Sequence, residues 1–487
     1  MNPARSLRGV RSFFADLHAD AEAVRVCRGT SCTLLGADAL RARLEREGPC
    51  RPVHCLGYCD RSPAALHPDG RVESGSGTTR IRCDAPLAIV TERIGRGDHS
   101  ELARAREAGV YSGLERALRE SPGELLTAVE RSGLRGRGGA GFPTGRKWRD
   151  CADAPSSGRV VVANGDEGDP GSFVDRLLLE LDPHAVLEGL CLAGFAVGAE
   201  QGIVFVRSEY PEALLRMERA VADARAAGLL GTNLLGSRLR FDVRVASGAG
   251  SYVCGEETAL LAALEGQRGE VRLRPPYPTR SGLDGRPTLV DNVETLVNVP
   301  WIARHGAERF VAIGSAESPG TLGLCLNAGF AEPGLVEVEL GTSLARVIER
   351  AAGDSERLAA VLLGGPMGSV LLPDEWDVPL CYTELRNRGI ELGHGGLVAV
   401  PRGTDPGALA AHWLEFMADE SCGKCVPCRI GSQRALELAR AADAAQQGRL
   451  LDLLELISAT SLCAFGQRIP VPVAKLLTTL LREGSTE

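Results

Sequence analysis

At 487 residues the chain is too long for one ordinary core, so three or four domains are expected. A formal net charge of −8 argues against nucleic acid as the main partner, and no apolar run approaches the ~20 residues of a membrane span. The opening MNPARSLRGVRSFFADLH lacks the apolar centre of a signal peptide, which predicts a cytoplasmic protein that could sit peripherally on a membrane complex. Such a chain gains little from disulfides, so its fifteen cysteines point to metal or redox chemistry wherever they cluster. Cys50, Cys83, Cys151, Cys191, Cys254, Cys325 and Cys381 are scattered and read as small buried hydrophobes. The other eight fall into two groups.

The first group is CRGTSC and CLGYC: Cys27-x4-Cys32, then 22 residues, then Cys55-x3-Cys59. AEAVRVC ends in a strand-like run, and LGADALRARLEREG has the period of an amphipathic helix. A strand, a cysteine loop, a helix and a second cysteine loop resemble the thioredoxin-like [2Fe–2S] ferredoxins, with Gly57 allowing close backbone approach to a cluster. A zinc site, or cysteines that bind nothing, are the alternatives.

Next comes GLRGRGGAGFPTGRKW, with a G-x-G-x-x-G at Gly136, Gly138 and Gly141. A dinucleotide fingerprint needs a strand before it and a helix after it. Ser121-Pro122 instead opens a helix that carries Leu125, Leu126 and Val129 into the loop. On the exit side, Phe142-Pro143-Thr144-Gly145 places Pro and Gly where the fingerprint's helix should begin. Asp166 follows the next strand-like run but cannot rescue two wrong flanks. The choice left is between a structural loop and a phosphate cradle, and Arg135, Arg137, Arg146 and Lys147 around the glycines favour the cradle.

RVVVANGDEGDPGSFVDR opens as a buried strand at Val160–Ala163 and ends in Asn164, Gly165, Asp166 and Glu167. GIVFVRSEYPEALLRMERAV and FDVRVASGAGSYVCGEETALLAALEG repeat the strand–turn–helix pattern, the latter opening a helix at Gly255-Glu256-Glu257-Thr258. Each carboxylate alone reads as a solvated cap. Three such loops at strand ends predict one shared pocket. Residues 320–400 hold short strands and one helix, SLARVIERAAG, and are assigned no chemistry. The second cysteine group follows: Cys422-x2-Cys425-x2-Cys428, then 34 residues, then Cys463. A triplet plus a distant fourth suits a [4Fe–4S] cluster, whereas structural zinc usually takes two separated pairs. The helical period between Cys428 and Cys463 predicts a small bundle around it.

SGLRGRGGAGFPTGRKW, NGDEGDPGSFVDR, GAGSYVCGEETALLAALEGQRG, RPTLVDNVETLVNVP and ESCGKCVPCRIG, in that order, resemble the NADH-binding flavoprotein subunit of respiratory complex I. Its soluble relatives are the diaphorase subunits of NAD-dependent formate dehydrogenases and bidirectional hydrogenases. The resemblance covers roughly residues 110–487 and implies a multidomain α/β fold. Residues 1–95 are expected to form a thioredoxin-like [2Fe–2S] domain and 105–318 a Rossmann-like domain for FMN and NAD(H). A ubiquitin-like β-grasp insert is expected over 319–400, and a helical [4Fe–4S] domain over 401–487.

By the same resemblance Gly136, Arg137, Gly138 and Lys147 match flavin-side positions, and Gly139, Ala140 and Phe142 the nicotinamide-nucleotide side. Asn164, Asp166 and Glu167 match flavin contacts, with Asp169 where Glu is usual. Tyr252, Gly255, Glu256 and Glu257 match the loop beside the flavin ring, the two glutamates shaping the pocket and orienting the nicotinamide. Asp291 and Asn292 match the last flavin loop. Three departures stand out: Arg274 where many relatives have Lys, Asp150 where others carry an aromatic, and Asp291 where Asn is commoner. The implied route runs from NADH to flavin N5 as hydride, then as single electrons to the [4Fe–4S] cluster and on to partner subunits. The fused N-terminal cluster is a side branch or second outlet and leans toward a formate dehydrogenase-type complex. The rival reading, resting on Asp150, Asp169 and Asp291, is a structural or regulatory iron–sulfur protein whose flavin pocket no longer turns over.

Overall fold

Strands buried on both faces read as unbroken apolar runs, and the run Val160–Val162, wholly buried, lies in the central sheet. Each such side chain contributes roughly 1.5–3 kcal/mol relative to its exposed state. The structure is a computed structural model that describes residues 9–156, 158–441 and 444–480.

The N-terminal region forms a four-stranded sheet of order β2-β1-β3-β4 from β1 (Val24–Cys27), β2 (Cys50–Val53), β3 (Ala65–Leu66) and β4 (Val72–Glu73). β1 and β2 are parallel, joined through the helices Thr30–Leu34 and Ala37–Leu44. Strand β5 (Ile81–Cys83) leaves this sheet and pairs in parallel with a strand more than 250 residues away. The four-stranded sheet ends at Glu73, and β5 after it belongs to another sheet. Ahead of β1, Phe14 is buried, and the amides of Ala15 and Asp16 bond to the carbonyls of Gly250 and Ala249.

The central sheet has the order β10-β6-β7-β9-β8, from β6 (Arg159–Gly165), β7 (Ala199–Val206), β8 (Gly231–Thr232), β9 (Arg240–Ser247) and β10 (Thr288–Asn292). β10, β6, β7 and β9 run parallel, and β8 closes one edge antiparallel. Parallel neighbours need crossover helices. One of these, Pro183–Val197, is apolar apart from His184 and Glu188 and is buried along nearly its whole length. The parallel register brings the carboxyl ends of β6, β10 and β9 to one edge, where the loops after Gly165, Asn292 and Ser247 meet. Ligands of open α/β sheets bind at that edge.

After a short ribbon, β11 (Gly314–Ser315) with β12 (Ser318–Pro319), a six-stranded sheet follows. It is built from β13 (Thr321–Leu326), β14 (Gly334–Glu339), β15 (Leu358–Leu363), β16 (Ser369–Leu371) and β17 (Gly396–Pro401). Its order is β16-β15-β17-β13-β14-β5, so the strand donated by the N-terminal region is its edge. The expected helix forms at Leu344–Ala352 and buries Leu344, Val347, Ile348 and Ala351 at helical spacing. The chain then becomes helical: Pro406–Glu420, Val426–Arg440, Ala444–Thr460, Ala464–Arg468 and Pro470–Lys475. This bundle touches the N-terminal sheet region, where buried Trp413 donates Nε1–H to Thr30 Oγ1 at 3.0 Å. Among the described residues no helix is long and apolar enough to cross a membrane.

Candidate flavin and iron–sulfur sites

The helix Pro122–Arg131 enters the glycine loop as expected. Ser121 Oγ accepts the Glu124 amide, and the Glu124 carboxylate accepts the Ser121 amide. The exit differs from expectation. A helix, Thr144–Ala152, does leave the loop, because Pro143 precedes its first turn rather than interrupting it. It runs so close to the first helix that a Cβ on Gly145 would lie 2.5 Å from Glu130 Cα. Only the entry separates this loop from the dinucleotide fingerprint. Within it, the Arg137 amide donates to Thr295 Oγ1 (2.8 Å), and a Cβ on Gly138 would stand 3.0 Å from Asn292 Cβ. Gly141 has φ +60 and no room for a side chain beside Tyr382.

The loop walls a cavity of about 770 Å³. Gly136, Gly138, Gly139, Ala140, Phe142, Lys147, Asn164, Asp166, Asp169, Tyr252, Gly255, Glu256, Glu257, Arg274, Asp291 and Asn292 all line it, as does Asp150. Arg137 and Glu167, expected beside them, do not. Arg137 is wholly buried, donating Nη2–H to Pro319 O at 2.9 Å, and Glu167 accepts the amides of Asp175 and Arg176 at the start of a helix. Burial, with Asp175 adding to it, pushes the Glu167 carboxyl up to about 7. The insert expected to carry no chemistry supplies Gly364, Met367, Arg386, Glu391, Gly393 and His394 to the wall. Only His394 has a side chain whose type hints at a role, and nothing near it in sequence marked it.

The charges in the cavity are largely paired. Lys147 Nζ bonds to Glu257 and to Val290 O, and lies 3.7 Å from Asp291 Oδ1. Burial opposes its charge, but the two carboxylates outweigh it and raise its pKa. Asp291 also accepts Trp148 Nε1–H at 2.6 Å, so its carboxylate is compensated from two sides. Glu256 Oε2 caps the helix Glu257–Leu264 through the Thr258 and Ala259 amides. Its Oε1 has no hydrogen-bond partner, although Arg274 Nη2 stands 3.5 Å away. Tyr252 donates its hydroxyl to Asp169, and Asn164 bridges the Gly255 carbonyl and the Asp166 amide. Burial holds the Asp166 carboxyl well above the usual range, and its Oδ2 is unpaired.

Cys463 lines the same cavity. Cys425 and Cys463 each precede a helix, Val426–Arg440 and Ala464–Arg468, and Cys428 lies in the first turn of the former. Burial pushes the Cys428 thiol up to about 12, with Cys425, Cys463 and Cys422 adding to it. Burial likewise raises Cys463 to about 11 against the pull of the Gly466 and Phe465 amides. Thiolates gathered this way repel one another unless a cation holds them, as iron does.

In the N-terminal set, Cys55 and Cys59 Sγ are 3.9 Å apart, and the neighbouring Cys32 and Cys55 push the Cys27 thiol well above its ordinary range. The Gly29 amide points at Cys27 Sγ (3.4 Å) and the Gly57 amide at Cys55 Sγ (3.3 Å). Cys27, Cys59 and the Arg207 cation hold the Cys55 thiol well below its ordinary range despite burial. Arg207 joins this loop to the flavin side, donating to Cys55 O (2.9 Å) and Glu167 O (2.6 Å).

Residues 129–301 match the Nuo51 FMN-binding domain, and residues 408–483 match the NADH-ubiquinone oxidoreductase-F iron-sulfur binding region. The chain is 43% identical over 405 residues to the NADP-reducing hydrogenase subunit HndC of Solidesulfovibrio fructosivorans, covering 82% of each chain. The chain belongs to the F-type subunits of the NADH-quinone oxidoreductase family. One such F-type subunit, from Rhizobium meliloti, is 41% identical over 388 residues, 78% of this chain and 92% of its own length. An NAD+-reducing [NiFe]-hydrogenase, solved in the H2-reduced state, aligns at 30% identity and TM-score 0.86 over 99% of this chain and 87% of that one. This F-type chain is therefore an FMN-type oxidoreductase subunit with a [4Fe–4S] region, and its relatives work as parts of multi-subunit complexes.

Proposed function

We propose that the chain is the electron-input subunit of an NAD-linked complex, taking hydride from NADH and delivering single electrons to partner subunits. The observation that carries this reading is that Cys463 of the iron–sulfur set stands in the wall of the cavity formed by the glycine loop. The site fits a flavin nucleotide: Gly136, Gly138 and Gly139 put bare backbone in the cavity wall, and Asp166 Oδ2 and Glu256 Oε1 are buried polar atoms without partners. When bound, FMN supplies the conversion between a two-electron hydride and the single electrons that clusters accept.

The residues position and insulate. Gly136, Gly138, Asn164, Asp166, Tyr252, Gly255 and Asn292 would hold the flavin, and Lys147 fixes Glu257 and Asp291 so that neither is a free charge beside it. Glu256, held by the helix it caps, orients rather than transfers protons, and hydride transfer needs no general base here. At the mouth, Phe142 is 46% exposed with Arg146 over its ring, and Arg274 stands over Tyr277. Exposed rings flanked by cations suit the bases and phosphates of a dinucleotide. Cys422, Cys425, Cys428 and Cys463 would ligate the [4Fe–4S] cluster. Exposed Val426 and Ile430 beside the half-buried Cys425 offer partner subunits an apolar landing surface.

In this reading Cys27, Cys32, Cys55 and Cys59 hold a [2Fe–2S] cluster in a thioredoxin-like domain, and the insert is a β-grasp unit. Amides aimed at two of the sulfurs, and a sheet in which β1 and β2 each deliver a cysteine loop, support the cluster over zinc. A relic pocket is not favoured, because two of the three residues behind that idea are paired: Asp169 with Tyr252, Asp291 with Lys147 and Trp148. The test is an anaerobic NADH titration followed by absorbance and low-temperature EPR. Bleaching of flavin with the appearance of a reduced cluster signal is expected. Bound flavin that NADH cannot bleach would overturn the proposal.

A further inference from the structure

His394 comes from the short turn just ahead of β17 and is buried to 6% exposure in the cavity wall. Its Nε2 lies 3.2 Å from Asp175 Oδ2 and 3.1 Å from Asn292 Nδ2. Asp175 already accepts two hydrogen bonds, with Oδ2 taking Asn292 Nδ2–H at 2.6 Å and Oδ1 taking the Glu294 amide at 3.0 Å. Two assignments satisfy these contacts: Nε2 accepts the second Asn292 amide proton, or Nε2 is protonated and donates to Asp175. The first leaves the ring proton on Nδ1, and the second does so when the ring is an imidazolium; Nδ1 has no hydrogen-bond partner among the described residues. Burial opposes charge on the ring, but Asp175, with Glu167 and Asp169 behind it, outweighs burial and raises the imidazolium pKa to about 10.

The glycine loop reaches the same corner of the cavity. Gly139 bridges to Gly393, next to His394, and Gly138 packs on Asn292, which caps the helix Val293–His305. Bare glycine backbone and an N–H donor on a buried ring paired with Asp175 therefore meet at one place.

We propose that His394 Nδ1–H binds the phosphate of the nucleotide seated against Gly138 and Gly139, which makes it a cofactor-binding residue supplied by the insert rather than by residues 129–301. The inference rests on the flavoprotein reading above. The phosphate belongs either to the flavin mononucleotide or to the dinucleotide, and one set of titrations separates the two.

The full chain, stripped of flavin, is titrated with FMN and with riboflavin, which differ by the phosphate alone, as wild type, His394→Gln and His394→Lys. His394→Gln should lower FMN affinity about tenfold, the order expected for one charge-assisted hydrogen bond, and leave riboflavin affinity unchanged. His394→Lys should restore part of the FMN preference. In a second arm, KM is compared for NADH and for reduced nicotinamide mononucleotide, which lacks the adenylate phosphate. A loss confined to FMN assigns the phosphate to the flavin, and one confined to NADH assigns it to the dinucleotide. Equal weakening of FMN and riboflavin, or no change in either ratio, overturns the proposal. If His394→Gln fails to fold, by iron content and thermal midpoint, His394→Lys decides: a kept FMN-to-riboflavin ratio supports the proposal and a lost one overturns it. A wild type that binds neither flavin would instead sink the flavoprotein reading.

Discussion

The two cysteine sets stand differently toward their surroundings. The C-terminal set is open on two sides: Cys463 faces the cavity, and Cys425 is half-buried beside Val426 and Ile430, which are 60% and 55% exposed. The N-terminal set is closed. Its four cysteines are no more than 2% exposed, and their contact with the flavin side runs through the loop after β6. There Cys55 Sγ comes within 4.0 Å of Asp169 O. Asp169 itself lines the cavity, so this enclosed set lies one residue behind the wall. A centre with an inner and an outer face can pass electrons through, whereas the enclosed set meets the cavity from one side, behind Asp169. Burial in turn tunes the thiols, raising Cys428 and Cys463, while the Cys27 and Cys59 contacts and Arg207 lower Cys55.

The largest effect expected from this contrast follows from Cys425→Ser. The [4Fe–4S] EPR signal and electron delivery to an iron–sulfur acceptor should be abolished, while NADH-driven ferricyanide reduction at the flavin survives. Cys59→Ser should do the reverse, erasing the N-terminal signal and leaving delivery through the C-terminal cluster intact. If Cys59→Ser also stops delivery, the two sets lie in series and the contrast between through-route and side branch is wrong.

A smaller effect is expected from Gly57→Ala. Gly57 has φ +73, and a Cβ there would lie 2.4 Å from the Tyr210 hydroxyl oxygen. The strain should cost ~1–3 kcal/mol in unfolding experiments. Because the Gly57 amide points at Cys55 Sγ, the N-terminal cluster's EPR lineshape and potential should move while those of the C-terminal cluster stay fixed. A change in both signals would mean that the N-terminal sheet positions the whole flavin edge.

What could be read from the sequence follows from what kind of signal each region carries. The C-x2-C-x2-C triplet states its chemistry in its spacing, and the Ser121-Pro122 start and the valine run of β6 are local enough to survive folding unchanged. Strand β5 was not legible, because three residues, Ile81–Cys83, take their identity from a partner strand at Leu335–Glu337. Neither was the orientation of single loop residues. Motif order brought Arg137 and Glu167 to the site, but Arg137 reaches back to Pro319 O and Glu167 to two helix amides. Pro143 has the look of a breaker, yet Pro just before a first helical turn costs nothing, since that turn's amides have no intrahelical acceptor. Apart from His394, the insert's share of the cavity is glycine, methionine, Arg386 and Glu391, types that occur on any surface.

The smallest effect expected is a dependence on pH, and it bears on the footing that both cysteine sets share. His394 faces Asp175 directly, with Glu167, Asp169 and Asn292 around it, and Arg207 ties the Glu167 carbonyl to that of Cys55. The imidazolium pKa is about 10 in the fold, against an ordinary value of 6.5. Its stabilisation is therefore complete below about pH 6.5, where the unfolded ring is protonated too, and is lost as pH rises through about 10. The thermal midpoint of the flavin-free wild type should exceed that of His394→Gln by most at pH 6 and converge on it as pH climbs toward 10. Over the same range the gap between wild type and Gly57→Ala, a matter of sterics, should stay constant. A His394→Gln gap equally indifferent to pH would mean that the ring acts by shape.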